Sequence, residues 1–163
     1  MELNDAVKVL GKIPIFTKLD PTKLKLLAFA SDYLSFESGE TLFRAGDQSD
    51  GVYLIDEGQT EVVVEEGGRE IVIATHGKHQ LIGEMAVIRN SPRSATVRAK
   101  GALKALRVNG DLFLKLVTQN PDTALRVMQV LCDKIVTSME SHEKLEARLR
   151  DAEGSYARKL VTA

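Results

Sequence analysis

A single cysteine, three histidines and a net charge of −1 rule out several classes of protein at the start. One thiol cannot close an internal disulfide, so a stapled secreted scaffold is excluded and a reducing compartment fits. Cys132 itself falls in an apolar helical stretch and reads as a buried, inert thiol. Near-neutral charge provides no global field toward nucleic acid or anionic membrane, so any anion site must be local. No run approaches the ~20 apolar residues of a membrane span. The N-terminus, MELNDAVKVLGKIP, has an early Glu and Asp and no apolar segment, unlike a signal peptide. Cytoplasmic is therefore the expected location. No Ser/His/Asp or Cys/His set is visible, and no internal repeat stands out.

What is present is enough for one domain with a small appendage: 163 residues, with an apolar share able to build a real core. The chain has three textures. Residues 1 to about 30 read as helical, with breaks at Pro14 and Pro21. Asp20 is a candidate N-cap with Pro21 at the first helical position, which puts Leu24, Leu27 and Ala28 on one face. From Tyr33 to Val108 short β-like runs alternate with turns about every ten residues. Asp50-Gly51, Glu57-Gly58 and Gly67-Gly68 are among the turn signals, and the last, between EVVVEE and REIVIA, predicts a tight hairpin. Many short strands with glycine turns argue for an antiparallel barrel or jelly roll, so the fold class is α+β with helices flanking that roll.

From Gly110 the texture is helical again. A short helix from Asp111 should end near Asn120, and Pro121 should open a longer one running to about Gly154. Met128, Leu131, Ile135, Ser138, His142, Leu145 and Leu149 follow steps of three and four, a heptad seam interrupted by two polar residues. The plainer alternative is that Leu125, Met128, Cys132 and Ile135 pack on the barrel. Both are expected, the first half docking on the barrel and the second pairing with another copy. The domain is then 1–154, with 155–163 as a tail or linker.

One stretch joins an acid and a base through a short turn: IGEMAVIRNSPRSATVRA, with Gly83 and Glu84 at its start and Pro-Arg-Ser in its middle. It reads either as a solvated surface turn or as a loop around something with both a hydroxyl and a negative charge. The stretch resembles the phosphate-binding cassette of the cyclic-nucleotide-binding domain family. The Gly-Glu, the small and apolar residues after it, the Arg, the small residue and Ala, and the Val-x-Ala strand are all present. The likeness extends to IPIFTKLDPTKL, to GETLFRAGDQSDGVYLIDEG and to the closing helices. In layout it is nearest the sensor half of catabolite-activator-type regulators.

The resemblance implies a non-catalytic sensor of a cyclic nucleotide, and side-chain chemistry agrees. Arg93 has a guanidinium fork for phosphate oxygens that lysine cannot copy. Backbone N–H groups at Met85 and Ala86 would add partial positive charge. Gly83 permits close backbone approach, Glu84 suits the ribose 2′-hydroxyl, and Ser94 has a hydroxyl for the phosphate. The resemblance further implies apolar walls for the base at Val62, Ile73, Ala74 and Ile82. It also implies an adenine-contacting hydroxyl at Ser138, with Lys134 one turn earlier near the pocket mouth. By the same resemblance, Ser94 where cGMP-preferring members have threonine implies cAMP over cGMP. No cofactor or metal is expected beyond that ligand.

Two other readings have sequence features behind them. A cupin-type metalloenzyme is suggested by His76 and His79, which bracket a Gly-Lys turn, with His142 far away. A ligand-free dimerisation module is the other. Direct DNA binding is not expected, since the ten residues from Gly154 are too few for a helix-turn-helix. The expected partners are a cyclic nucleotide and a second copy through the C-terminal helix, with no membrane contact.

Overall fold

The computed structural model describes residues 3–161, with side chains over 3–153. Among them the chain separates into two compact units, Met1–Ala124 and Leu125–Ala163.

The first unit opens with α1, Leu3–Lys12, which buries Ala6 and Leu10 one turn apart. A 3₁₀ turn, Pro14–Phe16, then buries Ile15 and Phe16. Asp20 caps the next helix as its sequence predicts: Oδ1 accepts the N–H groups of Thr22 and Lys23, each at 3.0 Å. Pro21 takes the first position, where its missing N–H has no partner to lose. Helix α2 spans Pro21–Phe29, with Leu27 and Ala28 buried and Leu24 half-buried.

Six strands follow: β1 Ser31–Phe36, β2 Thr41–Phe43, β3 Gly51–Glu66, β4 Arg69–His76, β5 Leu81–Ile82 and β6 Thr96–Asn109. They form one antiparallel sheet in the order β1-β6-β3-β4, with β2 also on β6 and β5 on β3. The Gly67-Gly68 hairpin forms between Glu66 and Arg69. Glu57-Gly58 does not turn the chain. It is an irregularity inside β3, where the register against β6 shifts on both sides of Glu57. Gly58 sits at φ +88°, and a Cβ there would meet the Ala102 carbonyl oxygen at 2.2 Å. The glycine serves close strand approach, so β3 runs on for 16 residues instead of breaking near ten.

The roll encloses Leu42, Tyr53, Ile55, Ile82, Val97, Ala99 and Leu103, with Leu34, Phe36, Phe43 and Val62 packed against them. Each fully buried aliphatic side chain contributes roughly 1.5–3 kcal/mol. This core fixes the floor on which the acid–base loop rests. That loop contains α3, Glu84–Arg89. After β6, the Asn109 side chain accepts the Leu112 N–H at 3.1 Å and starts α4, Gly110–Gln119. Helix α5 begins at Pro121 in the first unit and continues to Val161. Its backbone therefore passes Gly154, the end read from the sequence.

In the second unit the predicted seam residues Met128, Ile135, Leu145 and Leu149 are exposed, as are Ser138 and His142. Cys132 is exposed too, contrary to its expected burial. The described part of this unit is one helix with no core of its own, so an apolar neighbourhood in sequence does not bury the thiol. No described helix is long and apolar enough to cross a membrane.

Candidate functional site

Strand β5 delivers the chain to Gly83, whose φ of +80° turns it into α3. An ideal Cβ at Gly83 would lie 2.5 Å from Arg93 Nη1 and 3.3 Å from Phe43 Cε1. Glycine is required there twice over, for its dihedral and for the space. Helix α3 stops at Asn90, which is left-handed at φ +48°, and the Ser91 N–H returns to the Ala86 carbonyl at 3.0 Å. Pro92 and Arg93 then carry the chain toward β6.

Arg93 is pinned through its backbone first. Its N–H donates to the Asp47 carbonyl and its carbonyl accepts the Gly46 N–H, both at 2.8 Å. Its guanidinium is turned inward, and the residue is 3% exposed. Nη1 donates to the Gly83 carbonyl at 2.7 Å, and Nη2 donates to the Gly51 carbonyl at 2.6 Å. The group lies against Phe43, with Cζ 4.2 Å from the ring centroid. Phe43 in turn contacts Tyr53, ring centroids 5.6 Å apart.

Charge compensation around this guanidinium is incomplete. Asp50 Oδ1 lies 3.5 Å from Nη2, but the Asp50 side chain is 62% exposed and its Oδ2 also pairs with Arg107 at 3.1 Å. Arg107 reaches on to Asp32 at 2.9 Å. Two cations thus share the Asp50 carboxylate, which solvent screens. Burial pushes the pKa of Arg93 down, opposed by the negative ends of Tyr53, Asp50 and Asp47. The Arg93 Nε–H is buried and has no hydrogen-bond partner among the described residues. A buried donor on a cation is costly to leave unmet. An acceptor with negative charge would satisfy both deficits.

The other residues named from sequence lie as follows. Glu84, at the first position of α3, is buried at 1% exposure, and Ala86 is buried on the same helix. Met85 and Ser94 are exposed. Val62 is half-buried against the core cluster that contains Ile82. Ala74 stands opposite Val62 across the β3–β4 pair. Ile73 is 57% exposed and lies at the register shift between Val62 and Val63. The bulge adds a residue to β4 at that point and lifts it out of the pairing. Lys134 is half-buried and Ser138 exposed, both in the second unit. His76 ends β4 and His79 sits in the following turn at φ +65°. Among the described residues no group of three or more His, Cys, Asp or Glu is gathered as a metal site.

Sequence reasoning missed Phe43, Asp50 and Gly51 as parts of this site. Asp50-Gly51 carried only a turn signal, and Phe43 lies in a three-residue strand too short to show a period. The cavity nearest the loop, about 560 Å³, is lined by Ser49, Asp50, Val87, Asn90, Asn109 and Asp111. It shares Asp50 with the arginine cradle but not Arg93, Gly83 or Glu84. The buried charge deficit, not the open volume, marks the site.

The family profile for the cyclic nucleotide-binding domain matches residues 33–120, which include the whole cassette. The chain is 32% identical over 108 residues to the cAMP-dependent protein kinase regulatory subunit of Emericella nidulans, covering 66% of this chain and 26% of that protein. It is 31% identical over 121 residues to that of Blastocladiella emersonii, covering 74% and 30%. The chain thus spans less than a third of the length of these relatives. The sensor domain of the transcriptional regulator DNR from Pseudomonas aeruginosa superposes with a TM-score of 0.72 at 19% identity, over 85% of this chain and 93% of that one. That likeness is one of fold.

Proposed function

The chain belongs to the cyclic nucleotide-binding domain family, and from that premise we propose that it is a regulatory sensor that takes up cAMP in preference to cGMP. The observation that carries the proposal is the buried Arg93 guanidinium, whose Nε–H has no acceptor among the described residues and whose carboxylate partner is shared. A cyclic phosphate supplies the missing acceptor and the missing charge together. Glu84, buried beside Gly83 in the chain, then takes the ribose 2′-hydroxyl as acceptor. The N–H groups of Met85 and Ala86 and the Ser94 hydroxyl add donors for the phosphate. Val62, Ala74 and Ile82 offer the apolar side on which a base would rest. The cAMP preference rests on Ser94 following the arginine and on Ser138, with Lys134 a turn before it.

Binding alters the charge balance at the cassette, and α4 and then α5 carry the change onward. Ligand acts by favouring one of two arrangements through differential contacts. The exposed apolar positions of α5 support self-pairing as the output, either directly or through an attached effector. No catalytic role is assigned.

Calorimetric titration with cAMP and cGMP tests this. Wild type should bind both, cAMP more tightly, and Arg93→Ala should lose at least about thirtyfold in affinity, as expected for truncating a buried charged hydrogen bond. Unchanged affinity in Arg93→Ala overturns the site. Ser138→Ala with an unaltered cAMP/cGMP ratio removes only the selectivity claim. Absence of any binding by wild type would favour the ligand-free dimerisation module.

A further inference from the structure

We infer that Phe43 is a positioning residue for the cassette arginine: its ring holds the guanidinium in the plane that presents the Nε–H edge to an anionic ligand. The inference rests on the reading of the site as a cyclic-nucleotide cradle and goes beyond it. Two neutral carbonyls, Gly83 and Gly51, take one donor each from Nη1 and Nη2. Those bonds hold the two Nη atoms at the far end of the fork, and the side-chain stem anchors Nε. The Phe43 ring, its centroid 4.2 Å from Cζ, contacts the group from one side and resists its tilting that way. The same ring approaches Gly83 closely enough that a Cβ there would stand 3.3 Å from Cε1. Phe43 therefore adjoins both chain segments that define the cradle, the entry to α3 and the arginine side chain.

The ring also contributes an electrostatic attraction that an aliphatic side chain of similar size cannot. Its face carries partial negative charge, which attracts a desolvated cation without adding an anion that would compete with the ligand. Asp50 stays at the margin, shared and solvent-exposed. The ring is itself held by packing on the core cluster and by Tyr53, whose hydroxyl donates to the Leu42 carbonyl at 3.3 Å.

The test compares wild type with Phe43→Leu, which keeps most of the volume, and Phe43→Tyr, which keeps the face. Phe43→Leu should weaken cAMP binding by about five- to thirtyfold, the range of a desolvated cation–π contact. Phe43→Tyr should restore it to within about threefold. In an Arg93→Lys background the same Phe43→Leu change should have little further effect, because the plane being held is gone. A second readout needs no ligand: the Arg93 Hε and side-chain proton resonances should be shifted upfield by the ring in wild type and Phe43→Tyr, and not in Phe43→Leu. Wild type that binds cAMP while Phe43→Leu binds equally well overturns this inference and leaves the function standing. Unshifted Arg93 resonances in wild type overturn it even should Phe43→Leu fail to fold. Wild type that binds no cyclic nucleotide overturns the functional reading and this inference with it, whereas the ring shift then still reports whether the contact exists.

Discussion

Replacing Gly83 by alanine should damage stability and ligand binding together, for two separable reasons. The first is conformational. At φ +80° an L-residue meets its own carbonyl, which costs about 1–2 kcal/mol. The second is crowding. The new Cβ would stand 2.5 Å from Arg93 Nη1, well short of ordinary contact, and Phe43 closes the other side at 3.3 Å. The guanidinium must retreat, and retreat stretches its 2.7 Å bond to the Gly83 carbonyl. A hydrogen bond from a charged donor contributes about 1.5–3 kcal/mol. Partial loss of it on top of the dihedral cost brings the total to about 2–4 kcal/mol. For a domain of this size the melting temperature should fall by about 5–15 °C. Gly39→Ala is the control, since Gly39 shares a positive φ, +85°, but a Cβ added there would meet nothing within 4 Å. Urea unfolding of both variants, paired with calorimetry of cAMP binding, separates the effects. Gly39→Ala should lose about 1–2 kcal/mol and no affinity. Gly83→Ala should lose more stability and most of its affinity. Equal destabilisation in the two variants, with binding intact in Gly83→Ala, would refute the claim that this glycine makes room for the arginine.

The N-cap and the long helix give two further tests. The Asp20 carboxyl is held below its ordinary pKa of 3.8, chiefly by the Lys23 backbone N–H. A depressed carboxyl stabilises the fold above its unfolded pKa, and that stability is lost as pH falls through the folded value. Asp20→Asn should therefore flatten the decline of the urea midpoint between roughly pH 5 and 3, and an unchanged acid profile would argue against the cap. Ile135→Glu combined with Leu149→Glu places charge on exposed α5 positions; on the proposed pairing through α5, wild type should scatter light as a dimer and this variant as a monomer, with the affinity for cAMP within about threefold. Dimer persisting in that variant would mean that another surface pairs the copies.

Legibility differed sharply between one residue and the next. Asp20, Pro21 and the Gly67-Gly68 hairpin were readable because a cap or a tight turn is a contract between residues two or three apart, enforced by backbone geometry. Glu57-Gly58 looks the same on paper and proved different. The glycine meets a strand from elsewhere in the chain, and only the approach of Ala102 distinguishes a turn from a bulge. The pairing at Ile73 was not legible in the sequence, for a related reason. Its place in the run from Ile71 to Ala74 looks regular in sequence, but the register shift between Val62 and Val63 leaves it without a partner across the β3–β4 pair. Cys132 was misplaced because apolar neighbours along a helix suggest burial, whereas burial depends on what covers the helix.

The cassette shows both levels in one place. That a glycine, an acid and an arginine lie around one short turn was visible in the sequence, and their joint role was implied there by the family resemblance. What receives the arginine's donors was not visible. The Gly51 carbonyl lies 42 positions back along the chain, and Phe43 and Asp50 are similarly remote. Their meeting is set by the pairing of β3 and β2 with β6 and by the core beneath them, and long-range pairing leaves no periodic mark on the residues it joins. The chemistry of the loop was written locally; the burial, the shared carboxylate and the aromatic face around its guanidinium exist only once the sheet has closed around it.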